Sequence, residues 1–215
     1  MDSGDESLGL LALLRDRPRC KNQHVAAGAV DVYWIPLGAG AGGTLVRFSG
    51  RVYEAGAAAI SRRPRRTLYH SALEITVDDV MATIEMAPVW TKSGDRGVVA
   101  EGPVGAPMLG RSRLFRYEVR CWPEGSIPDV AAAVGGPHRV SNEAAKAEVI
   151  LDLVPRFPVM TWGRDELKTG DMWNSNSLVS WLLARAGLAT PDVAPPSGGR
   201  APGWDAGLAA AERSL

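Results

Sequence analysis

A chain of 215 residues with 46% hydrophobic content is long enough to bury one sizeable core. Its 24 basic side chains balance 24 acidic ones, so no global field draws it to nucleic acid or an anionic membrane. Two cysteines, Cys20 and Cys121, and three histidines, His24, His70 and His138, stand in no redox or metal-ligand spacing, which argues against a secreted disulfide scaffold, a metal centre or another cofactor.

The opening MDSGDESLGLLALLRDRPR has no basic region ahead of its apolar run, and LGLLALL is broken at Arg15, well short of the roughly eighteen residues a membrane span requires. The expectation is a cytoplasmic protein without a transmembrane segment, with residues 1–25 as a loose arm. VDVYWIPL, Val30 to Leu37, is rich in β-branched and aromatic residues and predicts a strand. The GAGAGG that follows sets Gly38, Gly40 and Gly43 in the order of a dinucleotide fingerprint. No acidic residue closing a second strand follows it, because the chain there reads AAAISRRPRR, and a turn is the better reading. A helix is expected from near Ser49 to before Pro64, and RRPRR (Arg62 to Arg66) reads as a solvated linker before it reads as a phosphate grip.

LYHSALEITVDDVMATIEMAPV predicts a hairpin, Leu68 to Val77 and Val80 to Pro88, turning at Asp78 and Asp79. Alternation puts His70, Ala72 and Glu74 on one face, with Tyr69, Ser71, Leu73 and Ile75 on the other. A glycine- and proline-rich loop is expected from Ser93 to Gly110. RLFRYEVRCW then predicts a half-buried strand with Phe115, Tyr117, Val119 and Cys121 on one face.

SNEAAKAEVILDLV predicts a helix from about Asn142 to Val154, capped by Ser141 and ended by Pro155 and Pro158. WNSNSLVSWLLARAG predicts a second helix with Gly187 as its stop. Residues 191–215 are a Pro/Gly-rich tail with no core pattern, holding Arg200, Trp204 and Asp205 as groups that a folded-back tail would bring over a groove. Helices placed between and after antiparallel strands argue for a single α+β domain over residues 26–190, an antiparallel sheet packed with helices.

The chemistry concentrates where the second helix begins. Free amides at a helix start point toward negative charge developing at Ser175, which is the arrangement of an oxyanion hole; Asn174, Asn176 and Ser177 flank it. A serine hydroxyl requires a base, and His70 and His138 are the histidines available. The same four polar residues are also all good N-caps, so capping alone accounts for them equally. Trp162 and Trp173, on either side of a charged loop, and Tyr69 are candidates to line a groove, or to pack in the core.

A strand histidine in YHSALEI, a hairpin partner VMATIEM and a later WNSNSLVSWLL helix together resemble the circularly permuted papain-like proteins: permuted NlpC-type hydrolases, the lecithin retinol acyltransferase group and PPPDE peptidases. The resemblance covers about residues 66 to 187. It implies a permuted papain-like fold, His70 as base, and Ser175 in the place where those families carry a cysteine, with Glu85 or Glu74 orienting the imidazole. Two functions follow from it. One is a hydrolase or acyltransferase acting on an amide or ester of a small-molecule, peptide or acyl substrate. The other is an inactive binding module that lost the thiol, since serine beside imidazole is not ionised as a thiol is.

Overall fold

The computed structural model describes residues 27–39, 62, 64–89, 97–127 and 129–213. In chain order these form β1 (Ala27–Pro36), β2 (Thr67–Val77), β3 (Val80–Pro88), β4 (Val98–Pro103), β5 (Arg116–Pro123), β6 (His138–Glu143), helix α1 (Ala144–Leu153), helix α2 (Ser175–Arg185), a short β7 (Gly199–Arg200) and helix α3 (Trp204–Glu212). The strands lie in the order β4-β5-β3-β2-β1-β6, every neighbour antiparallel, and β7 adds to β2 in parallel. This is an α+β domain, and the hairpin of β2 and β3 closes where the sequence places it, with Asp78 and Asp79 both in the left-handed region (φ 48 and 67).

The alternation of each strand sorts its side chains between two unlike faces. On one, Val30, Val32 and Trp34 of β1, Leu73 and Ile75 of β2, Ile84 and Met86 of β3, and Tyr117, Val119 and Cys121 of β5 form the main core. That face is covered by α1, which buries Ala147, Ile150 and Leu151, and by α2, buried along nearly its whole length from Ser175 to Leu183. Burial pushes the Cys121 thiol up to about 12, so it remains protonated inside this core.

The other face holds a small apolar cluster, Tyr33, Ile35, Ala72 and Ile127, within a polar field. Arg120 of β5 lies buried between two carboxylates, with Nη1 2.9 Å from Glu85 Oε1 and Nη2 2.7 Å from Glu118 Oε2. Nearby, the Tyr33 hydroxyl donates to Glu74 at 2.6 Å, and Arg139 forks onto Asp31 at 2.7 and 3.1 Å. Desolvation and the Glu74 carboxylate raise the Tyr33 phenol well above its usual range.

Three expectations change. β4 runs through the stretch read as a loop, because the free edge of β5 supplies pairing partners even to a glycine- and proline-containing segment. The first helix starts at Ala144 and not at Asn142: residues 138–143 pair with β1 as β6, and Ser141 Oγ accepts the Glu143 amide from within that strand. The C-terminal stretch carries β7 and α3, which buries Ala206 and Ala210. The helix expected near Ser49, the arm over 1–25 and most of GAGAGG lie outside the described residues.

Candidate functional site

The start of α2 is built from side chains that close on one another. Asn174 is the N-cap: its Oδ1 accepts the Asn176 amide at 2.9 Å, while its own amide donates to Ser177 Oγ at 3.1 Å, a reciprocal capping arrangement. The polar groups left over turn outward from the helix axis and find the C-terminal segment. Asn174 Nδ2 and Asn176 Nδ2 donate to the Pro202 carbonyl at 2.8 and 2.7 Å, Ser177 Oγ to the Gly203 carbonyl at 2.7 Å, and Ser180 Oγ to the Trp204 carbonyl at 2.8 Å. Asp171 returns the contact by accepting the Gly203 amide at 2.6 Å, and burial raises its carboxyl above the usual range against these amide bonds.

Asn176 also reaches the sheet. Its Oδ1 accepts from Ser71 Oγ at 2.8 Å and its Nδ2 donates to the Tyr69 carbonyl at 3.0 Å. Truncating this buried amide would orphan several groups at once, and each unsatisfied buried group costs about 1–3 kcal/mol. Ser175, buried at the first helical position, contributes none of these bonds.

The contact between Ser71 and Asn176 decides where the histidine lies. Since Ser71 faces α2, His70 projects from the opposite face of β2, in the row of Ala72, where it meets the region of Ile127 and Asp129. The structure therefore does not bring His70 to Ser175: strand alternation puts the sheet between them. Burial pushes the imidazole down to about 4, opposed by the Asp129 carboxylate, so at neutral pH it is uncharged. Glu85 shares the face of His70 but bonds the Arg120 guanidinium, and Glu74 accepts from Tyr33. His138 is exposed on β6, the edge strand of the sheet.

The three aromatics considered for a groove separate in the same way. Trp173 is core, stacked on Phe157 with ring centroids 5.0 Å apart, and its indole N–H lies buried near the Tyr117 hydroxyl, which donates to the Met160 carbonyl at 2.8 Å. Tyr69 is core, and Gly199 passes so near its ring that a β-carbon there would fall 2.4 Å away. Trp162 is half-buried against Tyr117, centroids 5.8 Å apart.

Pro202, Gly203 and Asp171 are what sequence reasoning missed, and Trp204, expected over a groove, instead offers its backbone carbonyl to Ser180. A signal for them existed: Asn174, Ser177 and Ser180 recur at i, i+3, i+6 along the helix, and such a stripe, once buried, demands hydrogen-bond partners. Among the described residues no group of three or more His, Cys, Asp or Glu side chains could hold a metal ion, and no helix is long and apolar enough to cross a membrane. No protein-family model matches the chain, and no curated protein or solved structure is significantly similar to it.

Proposed function

We propose that this chain is a non-catalytic binding module, of the permuted papain-like kind that its YHSALEI strand and WNSNS helix resemble, in which the helix start that carries a nucleophile in the enzymes serves as an internal clamp. The observation that carries this reading is the placement of His70 on the sheet face away from α2, where it cannot serve Ser175 as the base that the enzyme reading assigns to it. The engagement of Asn174, Asn176, Ser177 and Ser180 with Pro202, Gly203 and Trp204 supports it further, because groups committed to structural bonds are not free to orient a substrate. Small molecules, peptides and acyl groups are the ligand classes the resemblance suggests.

The test is labelling of the full chain with a serine-directed fluorophosphonate, comparing wild type with Ser175→Ala and His70→Ala. The expected result is no labelling that depends on Ser175. Labelling abolished by either substitution, in variants that melt like wild type, would overturn the reading and restore a Ser–His hydrolase or acyltransferase acting on an amide or ester.

A further inference from the structure

Between β4 and β5 the chain reads VGAPMLGRSRLF, Val104 to Phe115. It forms two consecutive 3₁₀ turns, Pro107–Arg111 and Arg113–Phe115, neither of which buries a residue. Met108 is 78% exposed and Leu114 62%, with Leu109 and Phe115 at 39% each. These four are half of the eight large apolar side chains exposed among the described residues, gathered within eight consecutive positions. Single exposed apolar residues need no explanation, but a cluster does.

The cluster is held out by structure. Leu109, Ser112 and Phe115 each donate an amide bond of 3.0 Å to the residue three before, and Arg116 ties the loop from below by bonding the Gly110 carbonyl and the Glu101 carboxylate. At its base the Val104 amide donates to the Phe115 carbonyl at 2.8 Å and the Gly105 amide to the Trp162 carbonyl at 2.9 Å. The charge of the segment has one sign: it holds no acidic residue, and Arg111 and Arg113 are exposed and form no ion pair among the described residues.

We infer that this loop is a membrane-surface anchor, seating Met108, Leu109, Leu114 and Phe115 at the acyl boundary of an anionic bilayer while Arg111 and Arg113 meet lipid phosphates. Charge complementarity selects that occupant. Apolar tips with guanidinium groups between and beside them match the layering of an interface, apolar below and phosphate above, and guanidinium forks suit phosphate oxygens. The chain's zero net charge makes the attraction local, so it depends on anionic lipid and weakens with salt. The inference goes beyond the proposed function and holds whether or not Ser175 reacts, because the loop belongs to a different part of the sheet.

The test is co-sedimentation of the full chain with vesicles of phosphatidylcholine alone and with phosphatidylserine added. Binding is expected with phosphatidylserine, weaker at high salt, and reduced about tenfold or more in Met108→Glu and Leu114→Glu, since each removes an apolar side chain from the bilayer. Arg111→Gln with Arg113→Gln is expected to abolish the preference for phosphatidylserine. All of these positions are exposed, so the variants should melt with wild type. Absence of binding to phosphatidylserine vesicles at low salt, or binding unchanged in both sets of variants, overturns the inference. So does a concentration-dependent dimer that Leu114→Glu dissolves without any lipid binding, which would make the loop a contact between copies.

Discussion

At the scale of single residues, two neighbours in one strand have opposite fates. Ser71 joins the bonds that fasten α2, whereas His70, one position away, faces Ala72, Ile127 and Asp129. The half-buried imidazole has a pH signature. Above its ordinary value of 6.5 the ring is neutral folded or unfolded; below it the unfolded chain takes a proton that the folded chain refuses until about 4. Stability should therefore fall as pH drops through that window, by up to about 3 kcal/mol from this group, and by less to the extent that water reaches the half-buried ring. Urea unfolding at pH 7.5 and pH 5 would measure it: His70→Gln should lose a smaller share of stability on acidification than wild type, and an identical loss in both would show that His70 is not the group responsible.

At the scale of elements, α2 and α3 meet through a glycine. A β-carbon on Gly207 would lie 2.1 Å from Ser180 Oγ and 2.2 Å from the Ser177 carbonyl, so the two helices approach at that point with no room for a side chain. On an open helix surface glycine to alanine stabilises by about 1 kcal/mol. Here Gly207→Ala should destabilise instead, by about 1–3 kcal/mol, because the added methyl must push apart a packed pair. The sign of the change in urea midpoint decides the matter. The elements themselves were legible to different degrees: the β2–β3 hairpin, β5 and α2 follow from alternation, turn residues and caps near to hand. β4 and β6 did not, since each is a strand because an edge of the sheet lies beside it and not because of its own composition.

At the scale of the whole molecule, the last part of the chain completes the fold. β7 pairs with β2 at Thr67 and Leu68, Trp204 packs tilted against Trp34 with centroids 5.1 Å apart, and the carbonyls of residues 202–204 satisfy the polar stripe of α2. Removing residues 199–215 would strip partners from Asn174, Asn176, Ser177 and Ser180 together while baring the apolar side of α2. The expected outcome is loss of the cooperative thermal transition in circular dichroism; a truncated chain melting within a few degrees of the full one would show the clamp to be dispensable.

The sequence by itself determined the α+β class, the hairpin and the capped helix over Ser175–Arg185, because periodicity, turn chemistry and caps act over a few neighbouring residues. It also held the alternation that sets His70 apart from Ser71. Only the tertiary structure decided which of those two faces α2 covers, and that the polar residues opening α2 bind the chain's own carbonyls. Those outcomes depend on packing partners more than twenty residues away, and a short motif carries no record of which partner it will meet.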